Sequence, residues 1–206
     1  MRPEYPIIVL AAGLSRRFPG NKLLYEYEPE KPVARMTTEN ALEAGVGPVI
    51  VVTGHMRDEI IDALSGLDYI EVYNENYHKG MSSSVKAGVW YVVENIEEYN
   101  GIFITPGDTA WIHPLVYRFM TEKHTVSQDL YKIIVAIYNG RRGHPILFTR
   151  ETVPEILGIS EEKRGLKELT RKYARETILL ELWFPGIILD LDTPNDLNRV
   201  KHYMKK

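Results

Sequence analysis

Short apolar runs alternate with stretches of helical periodicity through the first two thirds of the chain. Residues 6–12, 49–53, 69–73 and 102–105 are dense in aliphatic and β-branched side chains, the pattern of strands buried on both faces. Between them, 33–45, 57–64, 82–94 and 114–123 carry apolar residues at helical spacing. Gly45 supplies a helix stop, the serines at 82–84 supply N-caps, and Pro114 stands in a first turn. Strand–helix alternation predicts parallel βαβ units, hence a three-layer α/β/α domain. The last third reads differently. Residues 131–138 and 144–148 are strands around Asn139-Gly140-Arg141-Arg142-Gly143, an antiparallel excursion from the parallel sheet. A helix over 164–175, a strand over 177–183 and a closing helix over 194–203 complete the expectation. With no linker, repeat or low-complexity stretch, residues 1–206 are read as one domain.

Ligands of such sheets lie beyond the carboxyl ends of the strands. Three segments fall there: Leu10-Ala11-Ala12-Gly13, Gly54 and Pro106-Gly107-Asp108. Small residues at 11–13 let a ligand approach the main chain, and backbone N–H groups in such a turn make an anion site. Arg17 and Lys22 add positive charge beside it, as a triphosphate cradle requires. The plain alternative is a strand, a glycine and two stray basic residues. Lys22 is followed by Leu23, and Leu14-Ser15-Arg16 lack a second glycine, so neither the P-loop nor the dinucleotide fingerprint fits.

Asp108, just past an apolar strand, is placed for Mg²⁺, or is a turn aspartate bonded to its own backbone. Asp190 and Asp192 would share a face of an extended segment. Asp196 suits the start of a helix. Gly80-Met81-Ser82 precedes a helix and is either a capping segment or a wall of the site. His144 is tempting as a general base, but chemistry at a phosphate rests mostly on positioning and charge neutralisation. It is read as an acceptor-site contact or a strand-end residue, with Arg141 and Arg142 as phosphate ligands or solvated charges. His55 is expected to begin a helix.

Five segments, in the order Leu10 to Lys22 (LAAGLSRRFPGNK), Asn76 to Gly88 (NYHKGMSSSVKAG), Pro106-Gly107-Asp108, Arg142 to Phe148 (RGHPILF) and Asp190 to Leu197 (DLDTPNDL), together resemble the MobA-like nucleotidyltransferase family. Leu10-Ala11-Ala12-Gly13-Leu14-Ser15-Arg16-Arg17 through Lys22 is similar to its LAAGxSxRxxxxK signature. Asn76 to Gly88, NYHKGMSSSVKAG, is similar to a second segment, and Pro106-Gly107-Asp108 to a GDxP metal loop. Gly143-His144-Pro145-Ile146-Leu147-Phe148 resembles GHPxLF, and the stretch from Asp190 to Leu197 resembles DxDTPxDL. The likeness is greatest to molybdenum cofactor cytidylyltransferases. It implies a nucleotide-diphospho-sugar transferase-like fold of GT-A type. It also implies CTP rather than GTP as donor, Mg²⁺ as cofactor and molybdopterin as acceptor. By residue, Arg17, Lys22 and Asp108 would be catalytic, and Asp108 with Asp192 would hold the metal. Leu10, Ala11, Ala12, Gly13, Arg17, Lys22, Gly54, Gly80, Met81 and Ser82 would bind nucleotide, and Gly143 and His144 the acceptor. One departure stands out: Ala110 replaces the proline of the metal loop, and Trp111 follows it. Alternatives kept open are a guanylyltransferase, a sugar- or alcohol-phosphate nucleotidyltransferase, and a catalytically silent nucleotide-binding protein.

Composition narrows the partners. At 206 residues with a net charge of −3, the chain lacks the basic excess of a nucleic-acid binder. It has no cysteine, which excludes disulfides and thiolate chemistry. No signal-peptide core and no membrane-length apolar run is present, so a cytoplasmic protein without membrane partners is expected.

Overall fold

The computed structural model describes residues 4–127, 130–162 and 165–204. Its strands are β1 (Ile7–Ala11), β2 (Glu26–Glu28), β3 (Lys31–Pro32), β4 (Val49–Thr53), β5 (Ile70–Tyr73), β6 (Gly101–Pro106), β7 (Ile133–Tyr138), β8 (Arg141–Thr149) and β9 (Thr177–Glu181). The helices are α1 (Val33–Ala44), α2 (Arg57–Ala63), α3 (Met81–Asn95), α4 (Pro114–Ser127), α5 (Val153–Ile156), α6 (Leu166–Lys172) and α7 (Asp196–Met204). A seven-stranded sheet runs in the order β5-β4-β1-β6-β8-β7-β9, and β2 pairs with β3 in a small separate ribbon. β1 is parallel to both β4 and β6, while β8 is antiparallel to β6 and β7. The mostly parallel α/β architecture and its antiparallel excursion are therefore as the apolar pattern predicts.

Alternation along β1 explains the layers. Ile7, Val9 and Ala11 pack with Ala34 and Ala41 of α1 and with Val116, Tyr117 and Met120 of α4. Ile8, on the opposite face, packs with Val85, Val89 and Val92 of α3. Both faces are covered, which is why the parallel strands read as continuous apolar runs. At the end of β6, the Thr105 and Tyr117 hydroxyls lie 3.1 Å apart, fully buried. Tyr117→Phe removes that hydrogen bond and should cost about 1 kcal/mol, read as a lower urea midpoint.

Several boundaries differ from expectation. α3 starts at Met81 with Gly80 as its N-cap and no side-chain cap, so the serines lie inside the first turn. Ser83 donates instead to the Gly80 carbonyl at 2.8 Å, and Asn74 donates to the Ser83 and Ser84 hydroxyls. The turn before β8 is Asn139-Gly140 alone, both at positive φ, the hairpin geometry that lets β8 begin at Arg141. Arg141, Arg142 and Gly143 are thus strand residues, not loop. α2 begins at Arg57 because Met56 is left-handed, which leaves His55 in the preceding turn. The helix expected from residue 164 spans Leu166–Lys172, with Arg175 in a separate short turn; Arg164 lies outside the described residues, as do Met1, Arg2 and Pro3. β9 stops at Glu181, short of Trp183, and α7 starts at Asp196, two residues after Pro194. Among the described residues, no helix is long and apolar enough to cross a membrane.

Candidate active site

The carboxyl ends of β1 and β6 open onto a pocket of about 420 Å³. Its wall includes Leu10, Ala12, Gly13, Lys22 and Asp108, and on the far side Tyr77, Gly80, Met81 and Glu161. Lys22 is held from both directions along the chain. Ser15 Oγ accepts the Lys22 N–H at 3.2 Å and donates to Asn21 Oδ1 at 3.0 Å. The same Asn21 oxygen accepts the Leu23 N–H at 3.0 Å, capping the short turn that carries Lys22. Asn21 is buried, and its role was legible only as a polar residue before Lys22-Leu23-Leu24.

The Lys22 ammonium lies between two carboxylates. It donates to Asp108 Oδ2 and, at 2.9 Å, to Asp192 Oδ1; Arg17 meets Asp192 Oδ2 at 2.9 Å. Burial works against the Lys22 charge, but Asp108 and Asp192 outweigh it and raise its pKa above the ordinary lysine value. Burial also lifts the Asp108 carboxyl above the usual range, against the pull of Lys22. Main-chain bonds bring the two acids together. Gly107 N–H donates to the Leu10 carbonyl at 2.9 Å, and Leu191 N–H donates to the Asp108 carbonyl at 3.2 Å. Thr37 of α1 donates to the Gly107 carbonyl at 2.9 Å. Asp196 Oδ2 accepts from the Asp192 and Thr193 N–H groups, at 3.2 and 2.7 Å, and so fixes the backbone that aims Asp192. Asp190 turns away to Arg199. Of Asp190 and Asp192, Asp192 is the one that meets Lys22.

The donor set suits a hard divalent cation. Two carboxylates converge on a single positive charge, with Asp108 almost fully buried. Among the described residues there is no group of three or more ligating side chains. A metal here would therefore rely on waters and phosphate oxygens for its remaining positions, as Mg²⁺ does.

Other expected site residues sit elsewhere. Ala11 faces the core, and Gly54 lies behind the wall, where a Cβ would come 2.6 Å from Tyr77 Cβ and 2.8 Å from that of Ala12. Gly54 is small for packing. Ser82 is buried beneath the pocket surface. Arg17 is exposed and pairs with Asp192, whereas Arg16, not singled out by sequence, lines the pocket. Ala110 and Trp111 point into an apolar cluster with Val33, Leu189 and Leu191, so the departure from the family proline is absorbed by the core.

Gly143 and His144 line a second cavity of about 270 Å³, with Arg141, Arg142, Asp190 and Arg199. A Cβ at Gly143 would collide with the Ile187 carbonyl. Burial pushes the His144 imidazole down to about 4. A histidine held neutral in the fold but protonated in the unfolded chain below about 6.5 costs stability as pH falls from there toward about 4, and nothing above. The melting temperature should therefore drop between pH 7.5 and pH 5, and His144→Gln should flatten that drop.

The family model of the MobA-like NTP transferase domain matches residues 7–177. The bifunctional protein GlmU of Carboxydothermus hydrogenoformans is 26% identical over 163 residues, 78% of this chain and 34% of that protein. The chain thus spans about a third of that relative's length. Rv0371c of Mycobacterium tuberculosis superposes with a TM-score of 0.82 at 24% identity, covering 98% of this chain and 100% of that one. A second structure of it, a complex with manganese, gives 0.77 at 22% identity, covering 96% and 97%. A CMP:2-keto-3-deoxy-manno-octonic acid synthetase complexed with CTP gives 0.71 at 18% identity, covering 98% of each chain. At these identities the structural likenesses speak to the fold alone, and it is the family model that assigns kinship: this chain belongs to the MobA-like NTP transferase family.

Proposed function

We propose that this protein is a divalent-metal-dependent nucleotidyltransferase that moves CMP from CTP to an acceptor phosphate and releases pyrophosphate. The observation that carries this reading is the meeting of Lys22, Asp108 and Asp192 beside a pocket walled by Leu10, Ala12 and Gly13. An acceptor phosphate oxygen bonds to the α-phosphorus, the bond to the bridging oxygen breaks, and that oxygen leaves with pyrophosphate. The acceptor oxygen is already anionic, so no general base is required. Small residues at 12 and 13 admit the triphosphate to the main chain, and Lys22, Arg16 and Arg17 balance its charge. Held by Asp108 and Asp192, Mg²⁺ would neutralise charge developing on the phosphoryl oxygens. The manganese complex of the mycobacterial neighbour supports a divalent metal, and the synthetase with CTP supports a cytidine donor.

The acceptor implied by the sequence resemblance is the terminal phosphate of molybdopterin, giving a cytosine dinucleotide. Arg141, Arg142 and Arg199 around the second cavity support an acceptor phosphate there. A second reading keeps the donor site and takes a sugar or alcohol phosphate as acceptor; the sugar acid in the name of the synthetase neighbour supports a sugar-type acceptor. Coupled detection of pyrophosphate tests both. CTP, Mg²⁺ and molybdopterin should release it, GTP should release less, and omission of the acceptor should stop it. Release with sugar phosphates but not with molybdopterin would move the protein to the second reading.

A further inference from the structure

The pocket has two chemically different ends. Gly13, Ser15, Lys22 and Asp108 form the charged end. The other is made by Tyr77, Gly80, Met81 and Ser84, and by Glu161, which arrives from the segment between α5 and α6. Glu161 is seated by two features of the segment beside it, at Gly80 and Ser82. Its side chain lies so close to Gly80 that a Cβ there would come 2.5 Å from Glu161 Cγ, and Gly80 also holds φ at +104°. Its Oε1 accepts the Ser82 N–H, an α3 first-turn donor that the Gly80 N-cap has no side chain to satisfy. Among the described residues, no donor bonds to Oε2.

Resting on the donor-site reading above, we propose that Glu161 reads the base of the donor nucleotide by accepting hydrogens from its exocyclic amine. An ionised carboxylate offers acceptors only. Cytosine presents an N4 amino group on its edge, where a base with the uracil pattern presents a carbonyl oxygen. With Oε1 fixed by Ser82, Glu161 favours the first and repels the second. For a purine donor, the same carboxylate reads the guanine N2 amine, which hypoxanthine lacks. Glu161 acts on selection, not on the reacting phosphorus.

The test is kcat/KM for CTP against UTP, and for GTP against ITP, in the native protein and in Glu161→Gln. Glutamine keeps an oxygen for the Ser82 N–H and turns an amide donor toward the base, so it suits the uracil O4. The native enzyme should favour the amine-bearing member of its donor pair by about a hundredfold or more. In Glu161→Gln the CTP/UTP ratio should fall at least about tenfold, with UTP turnover rising in absolute terms. Glu161→Ala should lose the discrimination without that rise. If the CTP/UTP and GTP/ITP ratios stay unchanged in both variants while turnover persists, Glu161 merely caps α3 and the inference is overturned. If the native protein turns over none of the four nucleotides, the donor-site reading itself fails.

Discussion

Asp108→Asn should lower turnover by about a thousandfold, about 4 kcal/mol of transition-state stabilisation, while leaving the fold intact. Asp108 is almost fully buried at the end of β6. Its loop is held by main-chain bonds that do not involve the carboxylate, from Gly107 to Leu10 and from Leu191 to the Asp108 carbonyl. Asparagine preserves the shape and removes a charge whose burial raises its pKa. A carboxylate that is costly to bury yet kept at the centre of a charged cluster is the expected signature of a functional group. Steady-state pyrophosphate release and thermal melting on the same preparation check both halves. Full activity in the variant would remove Asp108 from the metal site.

Lys22→Met should separate the two forces acting at the same point. Without the ammonium that they share, Asp108 and Asp192 are left next to each other, and Arg17 offsets them only through Asp192. The metal-free variant should melt below the native protein. Added Mg²⁺ should raise its melting temperature more than it raises the native one, since the ion then replaces the missing charge between the acids. A ligand present at about a hundred times its Kd stabilises by about 2.7 kcal/mol, readily seen in a melting curve. Turnover should fall about a hundredfold or more, because the phosphates lose their most enclosed counter-charge. Equal Mg²⁺ shifts in the two proteins would mean that the carboxylates do not form the ion's site.

The strands of the first half were legible because parallel strands buried on both faces leave uninterrupted aliphatic runs. Ile7 to Leu10 and Val49 to Val52 are of this kind. The antiparallel excursion was legible from Asn139-Gly140, although the three residues after it belong to β8 and not to the turn. What spacing could not resolve lies on irregular backbone. Asp190 and Asp192 are equivalent two residues apart in a sequence. They diverge because Arg199 of α7 takes the first and Lys22 the second. Gly54 looked like a nucleotide contact until Tyr77, distant in sequence, was seen to fill the space above it. Trp111, beside the missing proline, gave no sign in the sequence of where it packs, and the apolar cluster under α7 takes it in. Glu161 belongs to no segment with a recognisable pattern, and only the fold brings it to Gly80 and Ser82.

The central claim is that Lys22, Asp108 and Asp192 build a metal-dependent nucleoside triphosphate site. Calorimetric titration with CTP and with GTP, in Mg²⁺ and then in chelator, tests it most directly. Binding of CTP that is tighter than that of GTP and is lost on chelation is the expected result. Binding of neither nucleotide in Mg²⁺, or binding that ignores the metal, would contradict it.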